Sequence, residues 1–495
     1  MHLTELLRAT AVATPPPLDP EIAGLTADSR QVRPGYLFAA LPGTRLDGRA
    51  FAAEAVARGA VAILTDRADA LVLSPASRGR VAVLVDANPH RCLSLLAARF
   101  CGRAPRTVAA VTGTNGKTSV VEFLRQLWTA RGLPAASLGT LGLVTSGDRR
   151  PGVMTTPDPV ALHDTLAGLA RRGIEHAALE ASSHGLAQYR LDGLSIAAAA
   201  FTNLTRDHLD YHGDMTCYRT AKERLFGELL TPGGPAVLNA DSAEFPRLAA
   251  LCRDRGSPIL AYGKDRAADL RLVSRRPRAG DQAVLLDVFG ERQELVLPLA
   301  GDFQAMNALA AFGLALATGS PAAAVLDALA RLTGPPGRLQ FVAEHRAGGA
   351  VVVDYAHTPD ALATVLAALR PHTEGRLVVL FGCGGDRDPG KRALMGAAAA
   401  GAADRIYVTD DNPRGEAPAA IRRAILAAAP GAIEIGDRRR AIEAAIAGFG
   451  PGDLLVIAGK GHETGQIVGG RILPFDDAAL VRDIVGRWES WRIRQ

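Results

Sequence analysis

Cysteine is scarce in this chain: Cys92, Cys101, Cys217, Cys252 and Cys383 are the only five among 495 residues. Their number is odd and no C-x-x-C pair occurs. That argues against a disulfide framework or a Cys-rich zinc module and favours a reducing compartment. Long hydrophobic runs are missing as well. The opening stretch M-H-L-T-E-L-L-R-A-T-A-V-A-T-P-P-P-L-D is interrupted by Glu5 and Arg8 and has no apolar core of signal-peptide length. The most apolar later stretch, Ala305 to Thr318, is shorter than a bilayer span and contains Asn307. No membrane span is expected, and the expected location is the cytoplasm. A large charge of one sign is also lacking, since 56 basic and 51 acidic residues leave +5. Over this length that is no nucleic-acid-binding face, and it suits an anionic small molecule equally well. No repeat of fixed period and no long low-complexity segment is found.

What is present reads as a folded protein, with 48% hydrophobic and 22% charged residues. At about 150 residues per domain, the length suggests about three domains. Short β-like runs alternate with Ala/Leu/Arg-rich helical patterns, which predicts α/β architecture with largely parallel sheets. The expected domains are 1–88, 89–335 and 336–495. The first is a small α/β domain with strands Tyr36–Leu41 and Val61–Leu64 and a helix Phe51–Arg58. A helix over Cys92–Phe100 leads to a break at Gly102–Pro105, and a strand Thr107–Val111 opens the central, P-loop ATPase-like domain. The turn-rich linker Thr333-Gly334-Pro335-Pro336-Gly337 closes it. The third domain has strand-like runs Ala350–Asp354, Leu377–Phe381, Arg405–Thr409 and Leu454–Ala458, with helices such as Pro359–Leu369 and Ala417–Ala429 between. That is a doubly wound, Rossmann-like pattern.

The strongest local signal follows the strand ending at Val111. Thr112-Gly113-Thr114-Asn115-Gly116-Lys117-Thr118-Ser119 leads into a helical pattern over Val120–Arg131. Such a turn aims backbone N–H groups and the positive end of a helix at a phosphate. Lys117 would reach the outer phosphates and Thr118 a magnesium ion. The common G-x-x-x-x-G-K-[ST] form fails, because its first glycine falls on Val111. An ordinary strand–turn–helix is the bland alternative. No guanine-reading N-K-x-D is present, which favours ATP weakly.

Further on, Ala177–Glu180 reads as a buried strand ending in a carboxylate, which could bind magnesium; a surface glutamate is the alternative. The run Phe201–Gly213 holds Asn203, Asp207, His208, Asp210 and His212. A zinc hydrolase is rejected because Leu209 stands where H-E-x-x-H needs Glu. A second metal site is favoured over plain loop polarity. Lys222, by itself, reads as a helix-surface lysine. In the third domain Gly382-Cys383-Gly384-Gly385-Asp386-Arg387 resembles a dinucleotide loop, but Arg387 replaces the third glycine. It shares the expected ligand edge with Asp410–Arg414 and Gly459–Glu463. Arginines, acids and glycines converging there suit a zwitterion such as an amino acid.

These motifs together resemble those of the Mur ligases, ATP-dependent amide-forming enzymes of peptidoglycan precursor synthesis. T-G-T-N-G-K-T at 112–118, M-T-T-P at 154–157, E-x-S-S-H at 180–184, N-L-T-R-D-H-L-D-Y-H-G at 203–213 and A-K at 221–222 carry the likeness. So do D-Y-A-H-T-P at 354–359, G-C-G-G-D-R-D at 382–388, D-N-P-R at 411–414, G-K-G-H-E at 459–463, and D-S-R and D-G at 28–30 and 47–48. The resemblance covers nearly the whole chain and is closest to the branch that adds meso-2,6-diaminopimelate. There D-N-P-R supplies an arginine, Arg414, for the carboxylate that lysine lacks.

The resemblance implies roles for particular residues. Lys117, Glu180, His208 and Lys222 would be catalytic, with Lys222 carbamylated, and Thr118, Glu180, His208 and Lys222 would surround Mg²⁺. ATP would meet Gly113, Thr114, Asn115, Gly116, Lys117, Thr118, Ser119, Asn307, Arg338 and Asp354. The UDP-sugar substrate, UDP-MurNAc-L-Ala-D-Glu, would meet Ala27, Ser29, Thr44, Arg45, Leu46, Met154, Thr155, Thr156, Ser182, Gln188 and Arg190. Diaminopimelate would meet Arg387, Asp411, Asn412, Pro413, Arg414, Gly459 and Glu463. Gln304 and Gln340 depart from the family's usual asparagine and glutamate. The implied activity joins diaminopimelate to the D-Glu γ-carboxylate through an acyl phosphate, in a monomeric enzyme with no nucleic-acid partner. The alternatives are an L-lysine-adding ligase, a folylpoly-γ-glutamate synthetase, and a non-catalytic nucleotide-binding regulator.

Overall fold

The computed structural model describes residues 1–8, 10, 17–43, 46–278, 280–488 and 490–494. The chain divides into two compact units. One comprises Met1–Lys117, Trp128–Leu238 and Ser242–Ile259, and the other Thr118–Leu127, Asn239–Asp241 and Leu260–Gln495.

The first unit begins with four parallel strands, β1 (Gly24–Thr26), β2 (Tyr36–Ala39), β3 (Ala60–Thr65) and β4 (Ala82–Val85), paired in that order. The helix expected over Phe51–Arg58 starts as a 3₁₀ turn at Gly48–Phe51, capped by the Asp47 carboxylate on the Arg49 N–H, and continues as α1 (Ala52–Ala57). The longer α2 (Pro89–Cys101) is set by its ends. Asn88 caps the Arg91 N–H, Pro89 takes the first turn where no N–H is needed, and Gly102 leaves it at φ +83°.

A larger sheet follows, with β5 (Thr107–Thr112), β6 (Ala135–Gly139), β7 (Gly142–Thr145), β8 (Arg149–Arg150), β9 (His176–Glu180), β10 (Ala198–Phe201) and β11 (Ala236–Asn239). Their order is β11-β10-β5-β9-β6-β7-β8, and β5 lies parallel between β9 and β10. These central strands are buried on both faces, which is why they read as unbroken apolar runs. Helix α3 (Lys117–Ala130) follows β5, and α4 (Pro159–Arg171) packs on α2.

The second unit departs from the expectation of largely parallel sheets. Strands β12 (Ile259–Gly263) and β13 (Leu270–Pro277) are parallel, but β14 (Gln282–Val288) and β15 (Glu291–Leu297) continue as an antiparallel meander. Burial alternates residue by residue along β14, as a sheet with one wet face requires. The last sheet has β16 (Gln340–His345), β17 (Ala350–Asp354), β18 (Leu377–Phe381), β19 (Arg405–Val408), β20 (Ile433–Glu434), β21 (Leu454–Ala458) and β24 (Trp491–Ile493). Its order is β20-β19-β18-β21-β17-β16-β24, with β16 and β24 antiparallel at one edge. A separate hairpin, β22 (Gly465–Val468) and β23 (Arg471–Pro474), follows β21. Among the described residues no helix is long and apolar enough to cross a membrane.

Candidate active site

The loop between β5 and α3 emerges where the chain leaves β5 between the ends of β9 and β10. Gly113 (φ +149°) and Gly116 (φ +88°) take backbone conformations that L side chains rarely adopt. A methyl group on Gly113 would also collide with the Thr202 hydroxyl at the end of β10. The segment after β10 grips the loop. Asn203 accepts the Asn115 N–H (2.9 Å), Thr202 donates to the Asn115 carbonyl (2.6 Å), and the Thr205 N–H donates to Thr114 Oγ1 (3.0 Å). Lys117 Nζ donates to the carbonyls of Gly113 and Thr114, both at 2.9 Å. Thr118 and Ser119, next along α3, are buried.

Lys222 is not the surface residue its helical surroundings suggest. It is 3% exposed, and its Nζ donates to the Gly113 carbonyl at 2.8 Å. Burial, reinforced by the nearby Lys117 charge, pushes this amine down to about 6. A neutral amine is the form that reacts with CO₂, so the surroundings suit carbamylation. Close by, the rings of His184, His208, Tyr211, His212 and Tyr218 pack together, with His184 4.2 Å from Tyr211 and 4.9 Å from His208. Burial and the neighbouring His184, Lys222 and His208 push His212 down to about 4.

Glu180, at the end of β9, is 2% exposed rather than a surface carboxylate. Its oxygens accept the Thr140 N–H at 2.8 Å and the Thr140 hydroxyl at 3.2 Å. Gly139 makes room for it, since a methyl there would collide with the carboxylate. The predicted sugar-side residues form one network around it. Thr156 donates to the Glu180 carbonyl (2.7 Å) and shares a hydrogen bond with Ser182 (2.9 Å), and Thr155 meets Thr140 (3.1 Å). Arg190 donates to the Thr156 carbonyl and to Gln188, each at 2.5 Å, and reaches Met154 Sδ at 3.4 Å. In the first domain Ser29 is buried and donates to Glu54 at 3.2 Å, whereas Ala27 and Leu46 are exposed. Thr44 and Arg45 lie outside the described residues.

In the second unit the two departures from the family pattern are tied into the chain. Gln304 accepts from Asn307 Nδ2 (3.0 Å) and donates to the Arg338 carbonyl (3.1 Å), while Gln340 accepts the Gly337 N–H (3.0 Å). Asp354, at the end of β17, accepts the N–H groups of Leu339 (2.7 Å) and Ala356 (2.8 Å). Burial raises its pKa, opposed chiefly by the Arg338 charge.

The glycines Gly382 and Gly385 make room for a neighbouring loop. Methyl groups at Gly382 and Gly385 would strike the carbonyls of Thr409 and Pro413, so the loop after β18 lies directly on the loop after β19. The Gly385 N–H donates to the Asn412 carbonyl (2.9 Å), and Arg414 Nη1 donates to the Gly385 carbonyl (2.9 Å). Asn412 Nδ2 donates to Glu463 at 2.9 Å. Asp411 and Pro413 are buried, and Arg387 is exposed. Burial raises the Asp411 pKa, against the nearby charges of Arg438 and Lys460. A methyl group on Gly459 would press on the Asp411 carboxylate. All seven predicted amino-acid-side residues thus lie on the loops leaving β18, β19 and β21.

Several residues given no role in the sequence analysis support these candidate positions. Thr140 and Gly139 frame Glu180, Thr202 and Thr205 hold the phosphate loop, and Lys460 underlies the third-domain loops. One structural signal does mark the region. Five of the six described non-glycine residues with positive φ are Tyr189, His208, Leu339, Asp386 and Arg414, each at or beside a predicted site residue.

Three family models match in sequence order. The Mur ligase family catalytic domain covers residues 21–102, the Mur ligase middle domain 111–315, and the Mur ligase glutamate ligase domain 337–461. A UDP-N-acetylmuramoyl-L-alanyl-D-glutamate–2,6-diaminopimelate ligase of Caulobacter vibrioides is 54% identical over 93% of this chain and 95% of its own length. The chain belongs to the Mur ligase family. A ligase of the same description from Mesorhizobium japonicum is 50% identical over 97% of this chain and 98% of its own. A solved structure of such a ligase superposes with a TM-score of 0.74 at 34% identity, covering 98% of this Mur ligase and 99% of that chain. A folylpolyglutamate synthase of Mycobacterium tuberculosis matches at TM-score 0.58 and 21% identity over 79% of this chain and 92% of its own, a likeness of fold. The three-domain α/β architecture is that of the family.

Proposed function

We propose that this chain is an ATP-dependent ligase that joins meso-2,6-diaminopimelate to the D-Glu γ-carboxylate of UDP-MurNAc-L-Ala-D-Glu, as a cytoplasmic monomer in peptidoglycan precursor synthesis. The domains are 1–88 for the uridine end, 89–335 for ATP and 336–495 for the amino acid. The observation that carries the reading is the meeting of Lys117 and Lys222 on the Gly113 carbonyl of a glycine-turned loop, with Glu180 on the adjoining strand. The relatives' shared description supports the choice of substrates.

A carboxylate and an amine do not condense unaided in water. The substrate carboxylate attacks the γ-phosphorus of ATP, giving an acyl phosphate and ADP. The free amine of diaminopimelate attacks the acyl carbon, phosphate leaves with the bonding electron pair, and the amine sheds a proton. Lys117 and the N–H groups of Gly113–Ser119 stabilise charge spreading over the transferring phosphoryl oxygens. Asn307, Arg338 and Asp354 take the adenine and ribose side. Ser29, Ala27, Leu46, Thr44 and Arg45 take uridine, and Met154, Thr155, Thr156, Ser182, Gln188 and Arg190 hold the rest of the nucleotide-sugar peptide. Thr118, Glu180 and carbamylated Lys222 offer oxygen donors suited to Mg²⁺, with His208 completing the set. Among the described residues no three His, Cys, Asp or Glu side chains form a metal-holding group. Bound Mg²⁺ supplies charge neutralisation between the carboxylate and the phosphates.

The test is phosphate release from ATP with UDP-MurNAc-L-Ala-D-Glu, comparing meso-diaminopimelate with L-lysine. Turnover with diaminopimelate alone is expected. Turnover with lysine alone would overturn the choice of amine, and turnover with neither would overturn the ligase reading.

A further inference from the structure

Lys460 is completely buried, 0% exposed, yet its Nζ meets an acceptor in each of three directions. These are Asn412 Oδ1 at 3.2 Å, Glu463 Oε2 at 3.2 Å and the Gly465 carbonyl at 2.6 Å. Holding an ammonium in the interior requires every proton to find a partner, and this arrangement supplies all three. The consequence falls on its neighbours. Asn412 Oδ1 also accepts the Ile467 N–H at 2.9 Å, so its amide has one possible orientation, with Nδ2 toward Glu463 Oε2. Glu463 Oε2 is then occupied by two donors, while Oε1 has no hydrogen-bond donor among the described residues.

The same stitching reaches Arg414 through the hairpin β22–β23. Gln466 Nε2 donates to the Asp411 carbonyl (2.7 Å), the Arg414 N–H to the Ile467 carbonyl (3.0 Å), and the Gly469 N–H to the Arg414 carbonyl (2.8 Å). Arg414 is thereby held at φ +50°, a conformation an arginine seldom takes by itself.

We propose that Lys460 is a positioning residue for the amino-acid substrate, fixing Asn412 and Glu463 so that Glu463 Oε1 faces the ammonium of the incoming zwitterion. The hairpin strand Gly465–Val468 is the strap that shares this task and orients Arg414. The inference rests on the amino-acid site assigned above to the loops after β18, β19 and β21.

The experiment compares Lys460→Met and Gln466→Leu with the unaltered full chain, measuring kcat, KM for each of the three substrates, and Tm. Losing a hydrogen bond to a charged group should raise KM for the amino acid by about tenfold or more in Lys460→Met. Gln466→Leu should raise it by about threefold, the smaller effect of a neutral hydrogen bond. KM for ATP and for the UDP-sugar should stay within about twofold in both variants. An unchanged KM for the amino acid in a folded variant overturns the proposal. So does an equal rise in all three KM values together with a fall in Tm, the mark of a merely structural lysine. Should Lys460→Met fail to fold, Gln466→Leu decides by the same criterion. The amine is whichever one the unaltered chain uses, so preference for lysine would overturn the diaminopimelate assignment and leave this comparison intact.

Discussion

Lys222 and Lys460 are buried to nearly the same extent, 3% and 0% exposed, but they are surrounded differently. Lys222 has the Gly113 carbonyl as its hydrogen-bond acceptor and Lys117 for a neighbour. Lys460 has a carboxylate, an amide oxygen and a carbonyl. Burial and a neighbouring cation, outweighing the pull of Asp207, favour the neutral, nucleophilic form of an amine. Burial with three acceptors makes it a structural pin. On the proposed reading, the first belongs to the chemistry and the second to the positioning of the amino acid.

The sharpest way to break that contrast is to remove the reactive amine. Lys222→Met should lower kcat about 10³-fold or more, and Lys222→Arg, a cation that forms no stable carbamate, should do no better. Steady-state phosphate release reads this, and near-normal turnover in either variant would return Lys222 to a packing role. On the structural side, Arg438 and Asp477 form an ion pair with both side chains fully buried (2.7 Å). Asp477→Ala strands the guanidinium and should cost about 3–5 kcal/mol in urea unfolding, where a loss below about 1 kcal/mol would contradict the reading.

Smaller changes sharpen it further. Gly139→Ala should move the Glu180 carboxylate and lower kcat about 100-fold while leaving the folded fraction intact. Arg414→Ala should reduce preference for diaminopimelate over lysine by about 10–100-fold in kcat/KM, and unchanged preference would refute its role. His163 is a third buried base, with the Asp192 carbonyl as its partner at 3.1 Å, and burial pushes it down to about 4. Between pH 6.5 and 4 the unfolded chain binds a proton at this position that the folded chain refuses. Stability should therefore fall as pH drops through that window, by up to about 3 kcal/mol from this group. His163→Phe should flatten that part of the profile in pH-dependent unfolding.

Much of the fold could be read from strands buried on both faces. Ala350–Asp354, Leu377–Phe381 and Leu454–Ala458 have the expected bounds, as does the helix α5 (Pro359–Leu369). Such strands are continuous apolar runs bounded by turn residues, so their signal is local. The meander β13–β15 escaped because its pattern is half polar. The glycine turn between β5 and α3 was legible because all its parts are contiguous. Gly139 and Thr140 were not, since each acquires meaning only from Glu180, distant in sequence, and Lys460 lay within a quoted motif but showed its burial and its bond to Asn412 only in the fold. Lys222 shows the limit most plainly, because its helix looks solvent-facing until the Gly113 carbonyl is seen above it.

The close fit of Gly382–Gly385 against Thr409–Pro413, with Gly465–Gly469 sewn to the latter, bears on protein engineering. These three segments are held together as one packed group. Transplanting Asp410–Arg414 alone from a relative that takes another amine would bring in side chains whose backbone seat belongs to a different scaffold. A donor graft would have to carry all three segments together, glycines included, and its success would be decided by backbone fit before any side chain met a new amine.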